Sequence, residues 1–211
     1  MKIKKIAIVG AGGFGREVAM LIDQINQCEF EYEIVGYYDD QKDVGDIING
    51  VPVLGCVSDI NKVKENLNIV LAIGDPKTKA IIIESIGNEN VFYSTLIHPG
   101  VSIGNEVEIG IGTIITTGCT ITENIIIGNH VILNLHCTVG HDAVISDYCS
   151  FMPSVNISGE TFFDELVYVG TGATIINQKR IGRESIIGAG AVIVKDVPDG
   201  VTVVGNPGRV I

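Results

Sequence analysis

Every sixth residue from Ile97 to Ile193 is large and apolar, seventeen positions without a break. Between those ends the series runs Ile103, Ile109, Ile115, Ile121, Ile127, Leu133, Val139, Ile145, Phe151, Ile157, Phe163, Val169, Ile175, Ile181 and Ile187. A helix repeats its apolar face about every 3.6 residues and a strand every 2, so neither alone produces this period. A fixed repeat sets the architecture before any single element does. Short strands joined by corners satisfy it. Three strands close one triangular coil of eighteen residues, and successive coils stack at the strand spacing of about 4.8 Å.

The other positions agree. Four residues after each large one stands a small or β-branched residue, as at Val107, Thr113, Cys119, Val131, Cys137, Ala143, Cys149, Val155, Thr161, Val167, Ala173, Ser185 and Ala191, with Ile125 and Lys179 the exceptions. Such residues fit inside a narrow prism. The residue directly after each large one is often glycine, at 104, 110, 128, 140, 170, 182 and 188. That predicts tight corners with positive φ at these glycines.

The pattern resembles the hexapeptide-repeat acyltransferases. The resemblance, not the spacing, implies a left-handed parallel β-helix, an exception to the right-handed crossover rule. The nearest likeness is to bacterial sugar acetyltransferases of the sialic-acid O-acetyltransferase and pilin- or N-glycan amino-sugar N-acetyltransferase type, in which a small nucleotide-binding domain precedes the solenoid. The expected organisation is a Rossmann-like α/β domain over residues 1–95 and a β-helix over 96–211.

A length of 211 residues allows one large or two small domains. With 46% hydrophobic and 18% charged residues, the composition suits a solenoid that hides apolar faces in an oligomer. A net charge of −11 argues against a nucleic-acid binder. The apolar run Ile6–Val9 is too short for a signal peptide or a membrane span. The five cysteines, Cys28, Cys56, Cys119, Cys137 and Cys149, form no disulfide framework, and the expected location is the cytoplasm. Cys119 and Cys137, one coil apart, and Cys149 occupy the small interior position and are read as core residues.

The first 95 residues alternate strand and helix: Ile3–Val9, Tyr32–Tyr38, Val51–Leu54, Ile69–Ile73 and Val91–Tyr93 as strands, Phe14–Gln27, Ser58–Glu65 and Pro76–Ile86 as helices. This is a βαβ pattern with a parallel sheet. The first strand feeds Gly10-Ala11-Gly12-Gly13-Phe14-Gly15, a GxGxxG turn whose backbone can approach a phosphate at a helix N-terminus. Asp39-Asp40 follows the second strand, where a ribose-binding carboxylate is expected. About 95 residues make one half of a dinucleotide fold, which favours a mononucleotide over NAD. The resemblance implies that the domain holds the nucleotide of an activated sugar, with Gly12, Gly13, Phe14, Asp39, Asp40, Gly74 and Asp75 as contacts. Some relatives carry His where this chain has Phe14.

In the repeat, the stretch Asn134-Leu135-His136-Cys137-Thr138-Val139-Gly140-His141-Asp142 stands out. His141 lies two residues after a core position, so its side chain leaves the prism near a corner. Acetyl transfer from a thioester needs a base for the acceptor's proton, and imidazole suits that at neutral pH. An adjacent carboxylate can fix its tautomer. The resemblance gives His141 the role of base and Asp142 that of its partner. It also matches Asn134 to an amide touching acceptor or coenzyme, and Ser154 to a backbone N–H that polarises the thioester. His130 and His136, six apart, are expected to point alike on neighbouring strands, with His136 a candidate substrate contact, whereas His98 marks the join between domains. Near the end, Gly205-Asn206-Pro207-Gly208-Arg209 resembles a turn beside the coenzyme, and the resemblance extends these contacts to Gly170, Gly188 and Lys195. The basic residues Lys179, Arg180, Arg183, Lys195 and Arg209 cluster late, as an anion site for coenzyme phosphates would.

The leading expectation is therefore an acetyl-CoA-dependent transferase acting on an amino group of a nucleotide-activated 4-amino sugar, without a covalent enzyme intermediate or a metal. The resemblance implies a homotrimer with sites between neighbouring subunits. Sialic acid O-acetylation is the close alternative. Others are a metalloenzyme like the γ-class carbonic anhydrases, using the five-residue spacing of His136 and His141, an NAD-dependent oxidoreductase, and a non-catalytic scaffold.

Overall fold

A computed structural model describes residues 3–211. The chain divides into two compact units, residues up to Pro99 and residues from Gly100. The first is an α/β unit. Its strands are β1 (Lys4–Val9), β2 (Tyr32–Tyr38), β3 (Ile47–Ile48), β4 (Val51–Gly55), β5 (Leu67–Leu71) and β6 (Val91–Tyr93), in sheet order β3-β4-β2-β1-β5-β6. All neighbours run parallel except β3 and β4, which form a short hairpin the sequence pattern did not reveal. The expected helix near Ser58 is a 3₁₀ turn, Val57–Lys62, and two longer helices, Gly13–Cys28 and Pro76–Ser85, connect strands. The first buries Val18, Leu21 and Ile22. Ala7, Val9, Tyr38, Ile60, Leu67, Ile69 and Leu71 form a core on the sheet. β1 lies at the centre and is apolar on both faces, as a parallel strand covered from both sides must be.

The second unit is a left-handed parallel β-helix. Its two- and three-residue strands stack into three parallel sheets, a strand pairing with the one eighteen residues on, as Thr120 does with Thr138 and Thr138 with Asn156, except at the last coil, where Ile186 pairs with Thr202. The first face carries Ile132–Leu133, Ser150–Phe151 and Tyr168–Val169, the second Thr120–Ile121, Thr138–Val139 and Asn156–Ile157, and the third Ile125–Ile127, Val144–Ile145 and Phe162–Phe163. The sixfold series supplies the inward residue of each strand, so Ile115, Leu133, Phe151, Phe163, Val169, Ile175 and Ile187 are fully buried. The small residues expected inside are there too, with Cys137, Ala143, Cys149, Val155 and Ala173 buried. Contact with the Cys119 thiol and burial push the Cys137 thiol well above the ordinary range, so Cys137 is a packing group and not a nucleophile. At the far end Arg209–Val210 folds back antiparallel on Thr202–Val204 and covers the last edge of the first face.

The corners correct one expectation. Positive φ falls not on the glycines after the large residues but two positions later. All fifteen corner residues from Glu106 to Gly190, six apart, have φ between 53° and 77°, and only four of them (Gly112, Gly118, Gly172 and Gly190) are glycine. A non-glycine residue in this region costs on the order of 1 kcal/mol. The earlier glycines serve close approach instead: a Cβ on Gly140 would sit 2.6 Å from the Gly159 nitrogen of the next coil. Phe151→Ala, which removes a buried ring packed edge-to-face on Phe163 at 5.0 Å, should lower unfolding free energy by about 3–5 kcal/mol. Ile103, 40% exposed at the open first coil, should cost less than about 1.5 kcal/mol as alanine. Denaturant titration of both variants checks the ranking.

Candidate active site

His141 and Asp142 occupy one corner of the prism, between the strand Thr138–Val139 of the second face and Val144–Ile145 of the third. Asp142 is the corner residue with φ of 58°, and its N–H donates to the Glu123 carbonyl one coil earlier. That conformation turns its carboxylate back to the preceding side chain. His141 Nδ1 stands 2.7 Å from Asp142 Oδ2. Both side chains are open to solvent, 61% and 48% exposed. The second carboxylate oxygen, Oδ1, accepts from Asn124 Nδ2 at 3.3 Å. The hydrogen bond from His141, then that from Asn124, hold the Asp142 carboxyl below the usual aspartate range. An ionised Asp142 only accepts, so Nδ1 carries the imidazole proton and Nε2 is left with a lone pair. The corner thus presents an exposed, oriented proton acceptor. Asn124 was not singled out in the sequence; the signal that finds it is its offset of one coil from Asp142.

Other expected members lie elsewhere on the prism. Residues six apart sit at successive corners of one coil, so His130, His136 and Asp142 mark three different edges. His130 and His136 therefore do not point alike. His130 is buried and its ring stacks on Tyr148 at 5.7 Å. His136 is exposed, its ring over Gly118. Asn134 is buried beside the His136 edge and accepts from Leu135 N–H at 2.7 Å. Within one chain His136 and His141, the pair on which the carbonic-anhydrase reading rests, stand on separate edges. Among the described residues no group of His, Cys, Asp or Glu is arranged to hold a metal ion. Ser154 is a second correction. As a corner residue its N–H donates to the Leu135 carbonyl at 2.8 Å, so it is not available to a thioester.

At the C-terminal end, Lys195 and Arg209 line one shallow groove of about 290 Å³ with Val203 and Gly208. The turn with Asn206 and Pro207 stands just before Gly208 in the chain. The rest of the late basic cluster is engaged: Arg180 forks onto Asp164 at 3.0 Å, Arg183 lies 3.7 Å from Glu165, and Lys179 donates to the Gln178 carbonyl. That leaves Lys195 and Arg209 as the cations of this half whose side chains have neither an ion pair nor a hydrogen bond among the described residues. Gly170 and Gly188 are packing glycines, since a Cβ would meet Ala189 N at 2.6 Å or Val204 Cγ1 at 2.8 Å.

In the first unit, Gly10 and Gly15 are glycines for internal reasons. Gly10 has φ of 98°, and a Cβ on Gly15 would strike the Gly10 carbonyl. Gly12 and Gly13 are exposed and a Cβ on either meets nothing, so the helix N-terminus between them and Phe14 is bare backbone open to an anion. The expected ribose carboxylates are not free. Asp39 accepts from Ala11 N–H at 2.7 Å and Gln41 N–H at 2.8 Å, bracing the glycine turn, and Asp40 accepts from Val57 N–H at 2.8 Å. Asp75, directly after Gly74, caps the second helix through Thr78 N–H.

Comparison with known proteins now bears on this geometry. The family model for the PglD N-terminal domain matches residues 5–86. Over 212 aligned residues, 96% of this chain and 94% of the relative, the chain is 36% identical to GDP-perosamine N-acetyltransferase of Escherichia coli O157:H7. The acetyltransferase domain of PglB from Neisseria gonorrhoeae, solved with acetyl coenzyme A, matches with a TM-score of 0.88 at 31% identity, covering 100% of both chains. PerB from Caulobacter crescentus, solved with CoA and GDP-perosamine, matches with a TM-score of 0.88 at 26% identity, covering 100% of this chain and 98% of that one.

Because folding lowers the Asp142 value, its interactions favour the native state above the ordinary aspartate range and are lost as pH falls through the lowered value. Carboxyl NMR titration should place the Asp142 midpoint below that of a free aspartate, and His141→Ala should move it upward.

Proposed function

The chain belongs to the hexapeptide-repeat sugar acetyltransferases, and we propose that it transfers acetyl to the amino group of a nucleotide-activated 4-amino sugar, with His141 as general base. That it is an acetyltransferase with acetyl-CoA as co-substrate follows from the family. The observation that carries the finer reading is the 2.7 Å contact of His141 Nδ1 with Asp142 on an open edge. The sugar acceptor is inferred from relatives named for, or solved with, GDP-perosamine.

In this reading the acceptor nitrogen attacks the thioester carbonyl and His141 Nε2 takes its proton. The C–N bond forms, the C–S bond breaks, and the proton passes to the departing thiolate. Asp142 stabilises the imidazolium between those steps. Lys195 and Arg209, with the Asn206–Pro207 turn, would meet coenzyme phosphates. The first unit, proposed as a domain of residues 1–95, would hold the nucleotide. Its diphosphate would sit over Gly12, Gly13 and Phe14 at the helix N-terminus, while Asp39 keeps that turn in shape. Residues 96–211 would be the acyltransferase domain.

Asn134 and His136 stand on a different edge from His141. That separation supports a site shared between two copies, where the His141 edge of one prism meets the His136 edge of the next, and hence a homotrimer. Cytoplasmic sugar-nucleotide and acetyl-CoA pools would serve it; among the described residues no helix is long and apolar enough to cross a membrane.

His141→Ala should lower turnover by a factor of about 100 or more without loss of fold. A fully active His141→Ala enzyme would remove the base assignment. Light scattering should give three copies, and a fully active monomer would contradict the shared site.

A further inference from the structure

The His141–Asp142 pair is exposed, and an exposed pair in water holds its geometry weakly. Something else must keep the ring in place for it to act as a base, and the coils on either side supply it. We propose that Asn124 and Gly159 are positioning residues that fix the His141 imidazole, Asn124 by anchoring Asp142 from the preceding coil and Gly159 by leaving room for the ring on the following one. The proposal rests on the reading of His141 as the base.

Asn124 and Asp142 are equivalent corner residues one coil apart, with φ of 56° and 58°. Their side chains therefore leave the backbone in parallel. His141 holds one Asp142 oxygen at 2.7 Å and Asn124 Nδ2 holds the other at 3.3 Å. Asp142 accepts only, so the residue below it must donate, and Asn combines a donor with tolerance of this backbone region. A carboxylate at position 124 would repel Asp142 instead.

Gly159 is the position equivalent to His141 on the following coil. The same position is Asn105, Glu123 and Asn177 on other coils, so the solenoid does not require glycine there. Nor does its φ, which lies outside the left-handed region. What singles it out is its neighbour: a Cβ on Gly159 would lie 2.7 Å from His141 Cε1, 2.7 Å from Nε2 and 3.0 Å from Cδ2, with His141 supplying all three nearest atoms. The ring lies over the bare Cα, and any side chain would lift it away. The atom crowded first includes Nε2, the one left to accept the proton.

The test compares kcat, KM and thermal midpoint for Gly159→Ala, Asn124→Asp and Asn124→Gly with His141→Ala as reference. Alanine is compatible with the Gly159 backbone, and aspartate and glycine with the Asn124 corner, so each variant should fold. Displacing a reacting group by about an ångström costs on the order of 100-fold. Gly159→Ala should therefore lower kcat about 100-fold, and the two Asn124 variants about 10-fold, with KM for acetyl-CoA unchanged. Imidazole ¹⁵N spectra should show the Nδ1–H form in the parent and its loss in Asn124→Asp. Adding Gly159→Ala to His141→Ala should change neither the residual rate nor the thermal midpoint, since the ring it crowds is gone. If His141→Ala is inactive while Gly159→Ala and both Asn124 variants keep the parent kcat, the positioning claim is wrong and the base assignment stands. An active His141→Ala enzyme removes the base assignment itself, and this proposal with it.

Discussion

From Asn124 to Gly190 the N–H of each corner residue donates to a carbonyl on the coil before it, and that bond sets the corners from which exposed side chains leave the solenoid. The pattern holds from Asn124 on Asn105 through Asp142 on Glu123, Ser154 on Leu135 and Glu160 on His141 to Gly190 on Thr171. It holds the corners in the left-handed region, where residues such as His130, Tyr148 and Leu166 would not otherwise rest. It also makes consecutive coils superimpose residue for residue, so a side chain on an edge has two fixed neighbours, eighteen positions before and after it.

The geometry of the proposed base follows from this regularity. Here orientation comes from the column. Asp142 is turned towards His141 by its corner conformation, braced from below by Asn124, and the ring rests on Gly159 above. The same regularity takes Ser154 out of the chemistry, because a corner N–H is already used in stacking. It also distributes His130, His136 and His141 over three edges of one prism.

Most of the architecture was legible in the chain. The unbroken sixfold series fixes coil, core and stacking, since each inward position must be apolar in a prism this narrow. Tyr32–Tyr38 and Val91–Tyr93 emerged with their boundaries as read. The hairpin of Ile47–Ile48 did not, because two residues carry no periodicity. His141 and Asp142 were legible as an adjacent acid and base. The edge assignments were not, because a spacing of six was read as stacking, whereas only eighteen stacks. The place of Asp39 and Asp40 after β2 points to ligand carboxylates. Their engagement with Ala11, Gln41 and Val57 backbone is a property of the folded turn that residue type does not disclose.

The two units divide the work in this account: bare backbone at Gly12 and Gly13 for a nucleotide diphosphate, and an oriented imidazole on the solenoid for the transfer. The most direct test is thiol release from acetyl-CoA with GDP-perosamine, a UDP-linked 4-amino-6-deoxy sugar and sialic acid offered in parallel. The account predicts release with a nucleotide-linked amino sugar and none with sialic acid. Release with sialic acid alone would contradict it.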